Sequence, residues 1–274
     1  MRLPEGAKIA ELFLGRVVLK FAVIIPARYA STRFPAKALA PLTSAKGTRR
    51  PLIEWTWRSG ISACGIESVI VATDSDEIAG TIAALGGRVA MTSEALNNGT
   101  ERCAAVLADL AEKPGIVINL QGDNPLIPPD YIRLLLQAFE DEEVQVATPF
   151  VRCDEAMKQN LLEHCASGTA GGTCVVTNIK GDAAYFSKYP IPWGAGAADD
   201  IKLHVGLYAY RPEALEIYAN LPPSELEIAE SLEQLRFIDA GIPIKTIEVQ
   251  RPDSGLWEIN NPEDVPLVEA ALPS

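Results

Sequence analysis

The apolar stretch Phe21-Ala-Val-Ile-Ile25, which ends at Pro26, decides the fold of this chain. A short apolar run without alternation is typical of a strand buried on both faces of a sheet. Similar runs recur along the first half and alternate with helix-like segments of about ten residues. We predict strands at residues 21–25, 67–73, 88–92, 116–120 and 144–151, and helices at residues 52–64, 76–85, 100–112 and 131–140. This alternation predicts βαβ units, so we expect an α/β fold with a Rossmann-like, mostly parallel sheet flanked by helices.

The second half is less regular and predicts a smaller, partly antiparallel lobe. Strand-like segments at residues 174–179, 183–187 and 204–210 have no long helices between them. A helix is predicted from the capping box at Ser224 to about residue 240, then a strand at residues 243–249 and a last helix from Asn261. We therefore divide the chain into an N-terminal extension (1–20), the main α/β part (21–150), a second lobe (151–212) and a return to the α/β domain (213–274).

The charge balance and the cysteines exclude several classes of protein. The chain has 24 Lys and Arg against 36 Asp and Glu, a net charge of −12, which argues against a dedicated nucleic-acid binder. Its cysteines show no C-x-x-C spacing, which argues against a disulfide framework or a zinc site. No uncharged apolar run approaches the ~18 residues of a membrane span, and the first twenty residues lack an unbroken signal-peptide core. We expect a soluble cytoplasmic protein.

The segment after the first predicted strand is basic, in contrast to the rest of the chain. It contains Arg28, Arg33 and Lys37 beside small residues. Ligands of parallel sheets bind beyond the carboxyl ends of the strands, and two guanidinium groups with one ammonium group suit a polyphosphate. A solvated basic loop is the alternative. Neither G-x-G-x-x-G nor G-x-x-x-x-G-K-[ST] occurs at this turn, which argues against a dinucleotide oxidoreductase and a P-loop enzyme.

A carboxylate follows the strand at residues 116–120, in the turn Gln121-Gly-Asp-Asn-Pro125. Asp123 offers a hard oxygen ligand at the edge of the sheet, and Mg²⁺ is commonly held by one or two carboxylates together with substrate phosphates. An Asp in a Gly–Pro turn can also serve only to form the turn.

Longer motifs occur in order along residues 21–270. They are Ile25-Pro-Ala-Arg-Tyr-Ala-Ser-Thr-Arg-Phe-Pro-Ala-Lys37, Val71-Ala-Thr-Asp74, Gly99-Thr-Glu-Arg102, Asn119-Leu-Gln-Gly-Asp-Asn-Pro125, Tyr185-Phe-Ser187, Ile191-Pro-Trp193, His204-Val-Gly-Leu-Tyr-Ala-Tyr210, Leu232-Glu-Gln-Leu-Arg236 and Pro262-Glu-Asp264. Together they resemble the 3-deoxy-manno-octulosonate (Kdo) cytidylyltransferases. The resemblance implies a nucleotide-diphospho-sugar transferase fold, Mg²⁺-dependent coupling of CTP to an acidic sugar with release of pyrophosphate, and a homodimer formed through the second lobe.

The resemblance also implies the roles of individual residues. Ala27, Arg28, Ser31, Arg33 and Lys37 would bind the CTP triphosphate, and Thr100, Arg102 and Gln121 would line the nucleotide cleft. The catalytic set would be Arg28, Lys37 and Asp123. The acceptor would contact Gln121, Lys188, His204, Tyr208, Glu233 and Gln234. For His204 the alternative is a core histidine in an apolar strand.

The chain departs from the family pattern at several positions. Asn260 occupies the place of the usual second metal-binding Asp, and we hypothesise that Glu258, two residues earlier, supplies the missing charge beside Asp123. On the acceptor side, Lys188 replaces the usual Arg, and Leu203 replaces a residue that is usually basic. Residues 194–198 replace a segment that is usually charged. Ala36 replaces the usual Gly of the phosphate loop.

These departures leave more than one function open. The first is coupling of CTP to Kdo, and the second is coupling of CTP to another sugar acid or a phosphonate. The third is a weakly active nucleotide-binding homologue, which Asn260 favours.

Overall fold

The computed structural model describes residues 10–14, 17–31, 33–194, 200–253, 255 and 258–273. The strands are β1 (Ala10–Leu14), β2 (Val17–Ala27), β3 (Pro41–Thr43), β4 (Arg49–Pro51), β5 (Val69–Thr73), β6 (Arg88–Met91), β7 (Ile116–Leu120), β8 (Val146–Arg152), β9 (Cys174–Thr177), β10 (Ala183–Ser187), β11 (Lys202–His204), β12 (Leu207–Tyr210) and β13 (Ile244–Glu248). The helices are α1 (Leu52–Cys64), α2 (Asp76–Ala84), α3 (Gly99–Asp109), α4 (Pro129–Ala138), α5 (Glu155–Ala166), α6 (Pro212–Asn220), α7 (Glu225–Glu230), α8 (Leu235–Asp239) and α9 (Val265–Ala271).

One large sheet organises the molecule, in the order β10-β9-β11-β8-β12-β7-β2-β5-β6. At one end β7, β2, β5 and β6 run parallel, and toward the other end β9 to β12 pair antiparallel, while β13 lies parallel to β8. The parallel sheet flanked by helices, with a partly antiparallel extension, confirms the predicted fold class. The carboxyl ends of β2 and β5 meet where Ala27 pairs with Thr73.

The central strand β2 explains why the predicted apolar run has no alternation. Val23 and Ile25 pack with residues of α1, α2 and α4 on one face of the sheet, whereas Ile24 packs with α3, α6 and α8 on the other. All three side chains are fully buried. Because successive residues of a strand point to opposite faces, a strand covered by helices on both sides must be apolar throughout.

Two predicted elements of the second half are interrupted in the structure, and helix α5 and the hairpin β3–β4 were not predicted. The helix predicted from Ser224 to residue 240 is broken: α7 ends at Glu230, the next residue, Ser231, has a left-handed φ of 52°, and α8 begins at Leu235. The strand predicted at residues 204–210 is interrupted between β11 and β12, at Val205 and Gly206. Both predictions followed apolar periodicity, which does not detect a single residue that leaves the regular backbone.

The first strand is also longer than predicted. This strand, β2, begins at Val17 and forms an antiparallel hairpin with β1, so part of the predicted N-terminal extension belongs to the sheet.

No helix in the described part of the chain has the length and apolar character needed to cross a membrane. The five cysteines are all free thiols, and burial raises the pKa of Cys64 and Cys153 to about 12, which keeps both thiols protonated at neutral pH.

Candidate active site

The basic segment forms one wall of a cavity of about 300 Å³ at the carboxyl end of β2. The lining contains several predicted nucleotide-binding residues, namely Ala27, Arg28, Ser31, Arg33, Lys37, Arg102 and Gln121. Asp123, which follows β7, also lines this cavity. The ends of the two adjacent parallel strands therefore bring the cations and the carboxylate to one cleft, as the sequence predicted.

Lys37 connects three segments of this cleft. Its Nζ donates to Asp123 Oδ2 at 2.7 Å and to the carbonyl of Ile259 at 2.7 Å. Ala36, which precedes it, holds a left-handed φ of 52° and starts the short 3₁₀ turn Lys37–Leu39. A residue with a Cβ is strained in that region, which explains why glycine suits this position. The turn directs the ammonium group across the cleft toward Asp123.

Gly122 allows the Asp123 turn to approach the phosphate loop closely. A Cβ at this position would lie 2.6 Å from the carbonyl oxygen of Pro26, a backbone atom that cannot swing away. The Gly122 carbonyl also accepts a hydrogen bond from Thr56 Oγ1 of α1 at 2.9 Å. The turn is therefore held between β2 and α1, which defines where Asp123 stands.

The residues proposed as metal ligands lie together on the same wall. Asn260 accepts a hydrogen bond from Arg33 at 3.0 Å, and Glu258 accepts one from Asn124 Nδ2 at 3.4 Å. Glu258 is exposed on the open side of the cavity, and partial desolvation of its carboxyl group, followed by the like charge of Asp123, raises its pKa. The carboxylates of Asp123 and Glu258 and the amide oxygens of Asn124 and Asn260 are hard oxygen donors of the kind that hold Mg²⁺, and the buried Oδ1 atom of Asn124 has no hydrogen-bond partner among the described residues.

A larger cavity of about 850 Å³ continues from Asp123 toward the second lobe. The predicted acceptor-binding residues all line it, namely Gln121, Lys188, His204, Tyr208, Glu233 and Gln234. The two cavities share Asp123, so the nucleotide side and the acceptor side meet at the carboxylate. Gly194 is described, whereas the rest of the predicted departure at residues 194–198 lies outside the described residues.

His204 is both packed and part of the cavity wall. Its Nε2 lies 2.8 Å from the hydroxyl of Thr148, and its ring contacts Phe186 and Tyr208. Burial lowers the pKa of His204 to about 3, so the ring is neutral at neutral pH. The neutral ring can therefore form a hydrogen bond with a sugar hydroxyl, but it offers no positive charge to a carboxylate.

Glu233 reaches the cavity because α7 and α8 are separated. Its carboxylate accepts hydrogen bonds from the Gly99 amide and from Thr100 Oγ1, each at 3.0 Å, at the N-terminus of α3. Burial raises the pKa of Glu233 to about 7, and these hydrogen bonds oppose the change. The Glu233 carboxylate thus connects the acceptor side of the site to the N-terminus of α3, which lies on the nucleotide side.

Thr100 and Arg102 are placed differently from the rest of the predicted set. Thr100 is fully buried beneath the cavities, with its hydroxyl between Glu233 and Tyr210. Arg102 reaches the smaller cavity, but its guanidinium donates to Asp74 at 2.6 Å and to Thr92 at 2.6 Å. Much of the hydrogen-bonding capacity of Arg102 is therefore used within the protein.

The acceptor side also contains residues that the sequence analysis did not select. Asn160 and His164 of α5 line the larger cavity, and Asn97 and Asn98 line both. Asn97 and Asn98 could have been noticed because they directly precede Gly99-Thr-Glu-Arg102. Nothing in the sequence around α5 indicates that this helix borders the site. At the departure Leu203, a Cβ on Gly172 would lie 2.6 Å from the leucine side chain, so an apolar contact replaces a cation there.

Comparisons with known proteins agree with this geometry. A family model described as cytidylyltransferase matches residues 22–247. A 3-deoxy-manno-octulosonate cytidylyltransferase of Maricaulis maris is 39% identical over 252 residues, covering 91% of this chain and 95% of that protein. One of Zea mays is 36% identical, covering 91% of this chain and 80% of that protein. The solved structure of CMP:2-keto-3-deoxy-manno-octonic acid synthetase complexed with CTP matches with a TM-score of 0.76 at 35% identity, covering 91% of this chain and 96% of that one. The chain belongs to the 3-deoxy-manno-octulosonate cytidylyltransferase family.

Proposed function

We propose that this chain couples CTP to 3-deoxy-manno-octulosonate, forming CMP-Kdo and releasing pyrophosphate. The observation that carries the proposal is the junction of the two cavities at Asp123, with the cationic loop on one side and a polar sugar-sized space on the other. Curated relatives bear the name of this activity, and the solved relative was determined with CTP.

The chemistry follows from the residues that face this junction. The anomeric hydroxyl of the sugar attacks the α-phosphorus of CTP, and a new P–O bond forms as the bond to the β-phosphate oxygen breaks. The hydroxyl proton passes to solvent, and pyrophosphate leaves. Arg28, Arg33 and Lys37 stabilise negative charge on the phosphoryl oxygens and on the departing pyrophosphate. His204 and Gln234 hold sugar hydroxyls, and Lys188 interacts with the acid group of the acceptor. No covalent intermediate with the protein is required.

Magnesium dependence is part of the proposal. Asp123 and Glu258 would hold the ion, with the amide oxygen of Asn260 as a weaker ligand. When bound, the ion would neutralise charge on the α-phosphate as it is attacked. In support of this assignment, Arg33 donates to Asn260 and Lys37 donates to Asp123, so both oxygens already have a cationic group as their partner.

A different acceptor in place of Kdo is the alternative that specific residues favour. Lys188 is a point charge without the planar fork that grips a carboxylate at two points, and Leu203 is apolar. The wall of the larger cavity also includes carboxylates, such as Glu227 and Glu233. A sugar acid or phosphonate with a different charge arrangement would then replace Kdo, with the CTP half of the reaction unchanged.

We further propose that the protein acts as a homodimer in the cytoplasm. The second lobe exposes large apolar side chains: Ile179 is fully exposed, Trp193 is 91% exposed and Tyr189 is 56% exposed. Large apolar side chains exposed on one lobe are candidates for burial in an interface, and the free thiols suit a reducing compartment.

The test is a pyrophosphate-release assay with CTP, Mg²⁺ and Kdo, run beside other sugar acids and phosphonates. We expect turnover with Kdo, and a loss of at least about 100-fold in kcat/KM for Lys37→Met. Lys46→Met, at an exposed lysine outside both cavities, is the matched control. Turnover only with another acid would establish the alternative acceptor. CTP binding without turnover on any acid would leave a nucleotide-binding homologue and contradict the enzyme.

A further inference from the structure

Asp74 stands directly after β5, at the edge of the sheet where the nucleotide cavity opens. The preceding residue, Thr73, pairs with Ala27 at the end of β2. The carboxylate of Asp74 is therefore placed beside the first residues of the phosphate loop. Asp74 is not among the predicted binding residues, and it lines neither of the two cavities.

Each oxygen of this carboxylate has a different partner. Oδ1 accepts a hydrogen bond from the backbone N–H of Tyr29 at 2.9 Å, and Oδ2 accepts one from the Arg102 guanidinium at 2.6 Å. The side chains of Asp74 and Arg102 are 8% and 3% exposed. Because the pair is buried, it is screened little by water or salt, and each bond is stronger than a surface contact.

Arg102 extends this connection beyond the loop. The same guanidinium donates to the hydroxyl of Thr92 and to the carbonyl of Ser93, just after β6, and Arg102 itself lies on α3. Asp74 thus joins the phosphate loop to two segments on the other side of the cleft. Removal of the Asp74 carboxylate would therefore release the phosphate loop from Arg102, and through Arg102 from α3 and the segment after β6.

The phosphate loop has few other restraints at this point. At residues 28–31, the hydrogen bond from the Tyr29 N–H to Asp74 connects the loop to the body of the protein. Arg28 and Tyr29 are exposed. The direction in which Arg28 and Ser31 point therefore depends on where the Tyr29 backbone is held.

We propose that Asp74 is a positioning residue for the nucleotide, which holds the Tyr29 backbone so that Arg28 and Ser31 face the triphosphate. The inference rests on the proposed function, since it takes CTP as the ligand of this loop. Asp74 acts through the loop and through Arg102 and does not touch the substrate. A structural role alone would lower stability without changing the affinity for CTP.

The test measures binding of CTP in the presence of Mg²⁺ by calorimetric titration of the full chain. Tyr29→Pro removes the N–H donor and leaves the ion pair intact; Tyr29 is not among the residues with positive φ. Tyr29→Ala keeps the donor and is its control. Asp74→Asn keeps one oxygen, which can serve only one of the two partners. Asp76→Asn, at an exposed aspartate two positions later, is the second control.

We expect Tyr29→Pro and Asp74→Asn each to raise the Kd for CTP about tenfold, the effect of losing one such hydrogen bond. The KM for the acceptor should stay within about twofold of wild type in both. Near-wild-type binding of CTP by folded Tyr29→Pro would overturn the proposal, and so would weakening seen only in Asp74→Asn. Failure of the wild type to use any acceptor would contradict the proposed function and leave this binding test intact.

Discussion

Glu258 and Asn260 differ in one respect that bears on the metal site. Asn260 brings a neutral amide oxygen where a carboxylate is usual, whereas Glu258 brings a carboxyl group to the same cavity as Asp123. We predict that Glu258→Gln raises the Mg²⁺ concentration needed for half-maximal turnover about tenfold, because an amide binds a hard cation more weakly than a carboxylate. Titration of Mg²⁺ in the pyrophosphate assay measures this.

The control for this variant is Glu263→Gln, at an exposed position outside both cavities. An unchanged Mg²⁺ requirement in Glu258→Gln would refute the assignment of Glu258. In that case Asp123 would be the single carboxylate ligand.

Glu233 allows a prediction about pH. Its pKa is about 7 in the folded protein and about 4.5 in the unfolded chain. Between these values the folded state retains a proton that the unfolded state releases, so the contribution of Glu233 to stability falls as pH rises from 4.5 to 7. Glu233→Gln has no titrating group at this position. From pH 4.5 to pH 7, its unfolding free energy should therefore rise relative to that of the wild type by on the order of 2 kcal/mol.

Urea unfolding at several pH values between 4.5 and 7.5 measures this difference. Glu225→Gln, at an exposed position of α7, controls for the loss of one formal charge. A difference between Glu233→Gln and wild type that does not change with pH would contradict a protonated Glu233 in the folded state.

At the scale of elements, the turn between β7 and α4 depends on one glycine. We predict that Gly122→Ala lowers kcat/KM at least about tenfold and costs about 1–3 kcal/mol in unfolding free energy, because the new Cβ forces the Asp123 turn away from the Pro26 carbonyl. Steady-state kinetics and urea unfolding check both quantities.

Gly80→Ala is the matched control, because a Cβ at this position in α2 meets nothing within 4 Å. It should leave kcat/KM unchanged and stabilise the protein by up to about 1 kcal/mol, through helix propensity. Equal kinetics in the two variants would mean that the close approach at Gly122 does not position Asp123.

The break between α7 and α8 shows how an element boundary creates part of the site. Arg236 of α8 donates to Glu227 of α7 at 2.7 Å and to Glu101 of α3 at 3.1 Å. These buried bonds hold three helices around the segment that carries Glu233 and Gln234. In a continuous helix, the backbone at Glu233 and Gln234 would follow helical geometry. The break instead allows the Glu233 carboxylate to reach the N-terminus of α3.

At the scale of the whole molecule, the apolar group on the second lobe predicts an interface between two copies. We predict that Trp193→Ser weakens self-association at least about tenfold, since large exposed aromatic side chains carry much of the energy of interfaces. Sedimentation over a range of concentrations measures the dissociation constant.

Ile217→Ser is the control, because Ile217 is 48% exposed on α6, outside the second lobe. A wild-type protein that stays monomeric at all concentrations, or association unaffected by Trp193→Ser, would contradict the proposed interface.

The local sequence alone determined the parallel part of the sheet and the contents of the phosphate loop. Buried runs such as Phe21–Ile25 reveal strands covered on both faces, because burial leaves no room for polar residues. The order of such strands and helices then places the ends of β2 and β7 at one edge, which assigns Lys37 and Asp123 to one cleft, where the two side chains form an ion pair.

Tertiary structure alone decided the arrangements that depend on residues far apart in the chain. Glu233 meets Gly99, Asp74 meets Tyr29 and Arg102, and Ile259 meets Lys37, each across at least 28 positions of sequence. It also placed Thr100 beneath the cavity and Asn160 and His164 along it. Periodicity and motifs report which face of an element is buried, whereas partners across a cleft are selected by how the elements pack together.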